Sequence, residues 1–127
     1  MLLETEEYNC VAWSLEDQER WWQPFPNEYQ YWPKNAPEAY SVDAFKEMFI
    51  LTAGFEECDS SDLEYGYEKI AIYGQKAEFT HVARQLADGR WASKLGDWED
   101  IEYNTLKALV SDQYGMVKFI LRRRRND

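Results

Sequence analysis

The strongest constraint on this chain is a change of hydrophobic period. From Ser41 to Phe55 (SVDAFKEMFILTAGF), apolar residues recur at Val42, Phe45 and Phe49, with Met48 beside them and Thr52 completing the stripe. That spacing turns one face of a helix toward a core. Ser41 is placed to cap its start through a hydroxyl that accepts an early backbone N–H. Gly54 is placed to end it, because glycine adopts the left-handed conformation at little cost. From Tyr67 the period falls to two. Tyr67–Tyr73 (YEKIAIY) and Phe79–Leu86 (FTHVARQL) read as strands, Asp88-Gly89 as a turn, and Arg90–Leu95 (RWASKL) as the returning strand. Met116–Leu121 (MVKFIL) reads as a closing strand. Helices followed by an antiparallel sheet predict an α+β fold.

Before the capped helix lies NCVAWSLEDQER, Asn9 to Arg20. Asn9 is a suitable N-cap, so a helix is expected from about Cys10. Trp21 to Tyr40 (WWQPFPNEYQYWPKNAPEAY) then holds all four prolines of the chain. They forbid a long helix or a central strand. The same segment carries Trp21, Trp22, Phe25, Tyr29, Tyr31 and Trp32, which suit either a pocket wall or a cover over the core. Cys58 to Gly66 reads as a polar loop. Its DSSDLEYGYE stretch lacks the glycine and glutamate spacing of a calcium-binding EF-hand, so solvent is the expected surrounding. YNTLKALVSDQYG, from Tyr103, reads as a short helix that Gly115 ends. No repeat or linker divides the chain, so residues 1–127 are expected to form one domain, with 122–127 a solvated basic tail.

Acidic residues number 24 against 14 lysines and arginines, a net charge of −10. This argues against a nucleic-acid groove or an anionic membrane as partner, since both select clustered positive charge. It suits a basic protein partner. The N-terminal MLLETEEY has neither the basic nor the apolar region of an export signal, and no apolar run is long enough to span a bilayer, so a cytoplasmic location is expected. Two cysteines and one histidine make neither a disulfide scaffold nor an ordinary zinc site, and no metal or cofactor is implied.

The residues able to do covalent chemistry are few. A thiol of ordinary pKa, about 8.5, is a poor nucleophile at neutral pH until a helix N-terminus or a neighbouring imidazolium favours the thiolate. Cys10 is expected at a helix start, and His81, the sole histidine, heads a strand. Cys58 lies beside Asp59, Asp62 and Glu64, whose negative charge opposes a thiolate, and reads as structural.

The order of these elements resembles the papain-like fold, and more narrowly the NlpC-type peptidoglycan endopeptidases. The resemblance rests on Tyr8-Asn9-Cys10 opening a helix, Gly66–Tyr73 (GYEKIAIY) as the next strand, His81–Gln85 (HVARQ) beginning another, and Ala87–Arg90 (ADGR) at the hairpin turn. It implies a papain-like α+β fold with N-terminal helices on a small antiparallel sheet. It also implies Cys10 as nucleophile, His81 as proton shuttle and a polar third residue. The family's position for that residue falls on Ser93, with Asp97 or Asp100 as substitutes if the following turn folds back. The chain also looks like an uncharacterised bacterial domain carrying the NCxAW and HxARQLxDGRWxSKLG signatures.

Two functions follow. One is a cysteine peptidase or amidase that cleaves an amide or thioester in a peptide-like or small substrate, with Tyr8, Trp13, Trp21, Trp22 and Trp32 around the acyl group. The other is an inactive papain-like binding module, of the immunity or adaptor kind, that grips a basic protein through its aromatic loop.

Overall fold

The computed structural model describes residues 11, 14–15, 21–95, 99–103, 105–106 and 115–125, with the backbone alone at 21, 93–95 and 99–103. The fold is α+β. Helix α1 (Val42–Ala53) packs on an antiparallel sheet of six strands in the order β3 (Glu56–Cys58), β8 (Met116–Arg124), β4 (Tyr67–Gln75), β5 (Glu78–Gln85), β6 (Trp91–Leu95), β7 (Glu99–Tyr103). Two short parallel strands, β1 (Trp21–Trp22) and β2 (Gln30–Tyr31), stand apart within the proline-rich segment. Leu15 N–H reaches the Val11 carbonyl at 3.3 Å, one helical turn of the expected N-terminal helix. The rest of that helix lies outside the described residues.

The caps of α1 are those its sequence calls for. Ser41 Oγ accepts from Ala44 N–H at 3.1 Å, and Gly54 takes φ +78° and donates its N–H to the Phe49 carbonyl. The helix lays Val42, Phe45, Met48 and Phe49 on Ile70 and Ile72 of β4, Val82 of β5 and Leu121 of β8. Burying each large apolar side chain is worth about 1.5–3 kcal/mol, so this face supplies much of the stability.

Pairing in the sheet sorts the strand residues between two faces. Ile72 lies opposite Val82 and faces α1, whereas Tyr73 lies opposite His81 and Ala71 opposite Ala83, on the other face. There Ala71, Tyr73, Ala83 and Trp91 form a second cluster, against which Leu106 and Val117 pack. Extra residues interrupt the ladders on both sides of Tyr73, Thr80 in β5 and Lys118 in β8. Such bulges sharpen the local twist.

Three expectations change. Strand β7 takes Glu99–Tyr103, including the residue at which the short helix was expected to begin. The remainder of that helix falls largely outside the described residues. Strand β8 does not stop at Leu121 but continues through Arg122, Arg123 and Arg124, so those arginines are not a loose tail. The reason is strand pairing: Arg122 lies between Glu56 of β3 and Lys69 of β4, and Arg123 and Arg124 lie opposite Glu68 and Tyr67 of β4. Cys58, expected to open the polar loop, instead ends β3 (Glu56–Cys58).

An exposed aromatic loop and a buried histidine

His81 belongs to the second, smaller core. It is 3% exposed and its ring lies 6.1 Å from that of Tyr73. Burial pushes its pKa down to about 4, because an imidazolium there would lose its hydration. At neutral pH the ring is therefore uncharged. It lies on the opposite face of the sheet from the core that contains Val11. Cys10, Tyr8, Trp13 and Asp97 lie outside the described residues. Ser93 is placed in β6 opposite Ile101, and Asp100 in β7 opposite Lys94, as backbone positions only.

The tryptophans of the proline-rich segment are core residues where their side chains are described. Trp22 is 7% exposed and meets Tyr31 edge to face at 4.7 Å. Trp32 is 6% exposed, packs on Phe45 at 5.0 Å, and donates from its indole to the Pro37 carbonyl at 3.1 Å. Trp32 anchors the loop to α1, and Trp22 joins the same core. Of Trp21, only its backbone place in β1 is described.

What the loop presents outward is a different set. Phe25 is 61% exposed, Tyr29 82% and Tyr40 48%. Phe25 and Tyr40 lie with ring centroids 6.1 Å apart. Phe25 has φ +54°, a left-handed conformation that costs a bulky residue about 1–3 kcal/mol. Neighbours hold it there. Its N–H donates to the Glu38 carboxylate at 3.0 Å, the Tyr40 hydroxyl donates to the Pro24 carbonyl at 3.2 Å, and Gln23 Nε2 donates to that hydroxyl at 3.1 Å. Tyr40 is fixed in turn, its carbonyl accepting from Phe79 N–H at 2.8 Å. Exposed carboxylates of Glu28, Glu38 and Asp43 occur in and just after this loop.

At the other end of β4 the polar loop is not simply solvated. Lys69 is 2% exposed and its ammonium donates to the carbonyls of Ser60 and Asp62, both at 2.7 Å. Gln85 Nε2 donates to the Ser61 carbonyl at 2.8 Å. Three successive carbonyls thus turn inward onto protein donors. The lysine ammonium satisfies two of them, as a bound cation would in a metal-binding loop.

The sequence profile of a family described as Domain of unknown function (DUF7689) matches residues 3–122. The chain belongs to that family. The match takes in Cys10, the aromatic loop, His81 and most of β8 of this DUF7689 member. No curated protein and no solved structure matches the chain.

Among the described residues of this DUF7689 chain, no group of histidine, cysteine and carboxylate side chains is arranged to hold a metal ion, and no helix is long and apolar enough to cross a membrane. The exposed trio Phe25, Tyr29 and Tyr40 was not separable by sequence from the buried Trp22 and Trp32. The one available signal is Pro24-Phe25-Pro26, where flanking prolines keep Phe25 out of any helix or sheet ladder.

Proposed function

We propose that this chain is a protein-binding module that grips a basic partner through Phe25, Tyr29 and Tyr40. It is a catalytically inactive member of the papain-like, NlpC-like class, acting in the cytoplasm as an immunity or adaptor protein. The observation that carries this reading is Phe25. A large apolar side chain is held in solvent by a strained backbone, and three side-chain hydrogen bonds fix its surroundings. Strain maintained at an exposed aromatic points to function. Aromatic anchors fixed before binding lose little entropy on association, and aromatics are frequent hot spots. The carboxylates of Glu28, Glu38 and Asp43 favour a partner with lysine or arginine beside its apolar contact, and the net charge speeds its approach.

The hydrolase reading calls for an imidazolium at His81, which burial opposes. The test uses a blocked peptide of alternating arginine and leucine, titrated into isotope-labelled protein at physiological salt. Saturable shifts centred on Phe25, Tyr29 and Tyr40, lost in Tyr40→Ala, support the binding reading. Shifts spread over the acidic surface and indifferent to Tyr40→Ala overturn it. Iodoacetamide alkylation of Cys10 against pH decides between the two functions. A binding module gives an ordinary thiol curve, unchanged by His81→Ala. A plateau extending below neutral pH, and abolished by His81→Ala, restores the hydrolase.

A further inference from the structure

We propose a second docking site at the opposite end of the sheet, centred on Arg125, that receives an acidic, extended segment of a partner protein. Strands β4 and β5 pair only as far as Ile70 opposite Arg84. Beyond that point β4 stays with β8, and Gln85 of β5 stays with Trp91 of β6. The sheet therefore opens at this end. A depression of about 170 Å³ in the opening is lined by Ser14, Lys69, Arg84, Gln85 and Arg125, and by Glu68, whose carboxylate is paired with Arg123. Two neighbouring depressions, of about 400 and 600 Å³, also include Arg125, and their carboxylates, Glu64 and Glu68, are already paired with Lys69, Arg122 and Arg123. One residue thus borders all three.

Arg125 is held at this junction by its backbone, whose N–H donates to the Gly66 carbonyl at 2.8 Å. Its side chain is exposed. The preceding arginines are engaged: Arg122 with Glu56 and Glu64, Arg123 with Glu68. Arg124 and Arg125 have no carboxylate partner among the described residues, on a chain where acidic groups outnumber basic ones by 24 to 14. Beside them the loop clamped by Lys69 projects Leu63, 51% exposed, and Tyr65, wholly exposed. Both line the 400 Å³ depression with Arg125.

The combination selects the ligand. A guanidinium takes a carboxylate in a charge-assisted pair. A free inorganic anion would leave Leu63 and Tyr65 unused, whereas a peptide can set a carboxylate on Arg125 and a bulky apolar side chain between those two. The net negative charge of the chain repels an acidic peptide at long range. At physiological salt that repulsion is screened within about 8 Å, leaving the local pair.

The probe is a blocked hexapeptide of alternating glutamate and phenylalanine, titrated into isotope-labelled protein, with its glutamine counterpart and inorganic phosphate as controls. Saturable shifts at Gly66, Ala87 and Gly89 are expected, with at least tenfold weaker binding in Arg125→Gln, partial retention in Arg125→Lys, and no change in Tyr40→Ala. Arg125 is exposed, so a matching thermal melt shows that the variants fold. Absence of saturable shifts overturns the proposal, as does equal binding by Arg125→Gln or by the glutamine peptide. Phosphate reproducing the same shifts also overturns it, since the site then takes a bare anion.

Discussion

Lys69 and Arg122 lie directly opposite one another on β4 and β8, and the two oxygens of the Glu64 carboxylate bridge them, Oε1 to Lys69 at 3.5 Å and Oε2 to Arg122. Like charges facing across a strand pair are destabilising. Here the Glu64 carboxylate from the preceding loop pairs with both, Glu56 supplies a second carboxylate to Arg122, and the Arg122 guanidinium beside Glu64 holds its carboxyl below its usual value. The loop that presents Leu63 and Tyr65 is therefore fixed to the sheet through charge as well as through backbone carbonyls.

Replacing Lys69 by methionine keeps the buried volume but leaves the Ser60 and Asp62 carbonyls without their donor. Each buried acceptor so deprived costs about 1–3 kcal/mol, and solvent reaches part of this loop. The expected loss is about 2 kcal/mol, read as a lower urea midpoint, with faster amide exchange confined to the loop around Ser60–Gly66. An unchanged midpoint would show that the clamp contributes nothing.

His81 gives the fold a dependence on acid. Its pKa is lowered from 6.5 to about 4 by burial, so the unfolded chain binds its proton first as pH falls. Its contribution is complete above about pH 6.5 and is lost as pH falls toward 4, amounting to roughly 3 kcal/mol. Carboxylates titrate in the same range, so the comparison is with His81→Asn. The difference in unfolding free energy between wild type and variant should shrink as pH is lowered from 7 to 4.5. A constant difference would mean that His81 titrates alike in both states.

Gly115 takes φ +78° directly against Gly74, and a Cβ there would collide with the Gly74 carbonyl. Gly74 is equally confined, by the Val42 side chain and the Glu78 carbonyl. Gly115→Ala should therefore destabilise by more than about 2 kcal/mol, through both strain and backbone collision. Gly54→Ala, which meets only open space, should lose about 1 kcal/mol from conformation alone. Chemical denaturation of the two variants side by side checks the order.

The helix with its two caps and the strands from Tyr67 to Leu95 were legible because their apolar spacing and turn residues act locally. Strand β7 was not, since the alternation in EDIEY is masked by acidic residues. The extension of β8 through three arginines was invisible for a different reason: it depends on Glu56, Glu64 and Glu68, brought together only by the fold. In the proline-rich segment, composition marked an aromatic cluster, suited to a pocket wall or a core cover, but could not say which rings face out. That division follows from the φ angle of Phe25 and the bond its N–H donates to Glu38, neither of which has a spacing signature. His81 was legible as a strand residue, but its face of the sheet is set by register with Tyr73.

The most direct test of the account is Phe25→Gly, measured for stability and for binding of the arginine-leucine peptide in the same preparation. Glycine adopts the left-handed conformation without strain, and an exposed phenylalanine loses little burial. The account predicts a protein as stable as wild type or up to about 1 kcal/mol more stable, with peptide binding reduced at least tenfold. A destabilised variant that still binds the peptide would mean that Phe25 is part of the packing, and would contradict its role as a recognition residue.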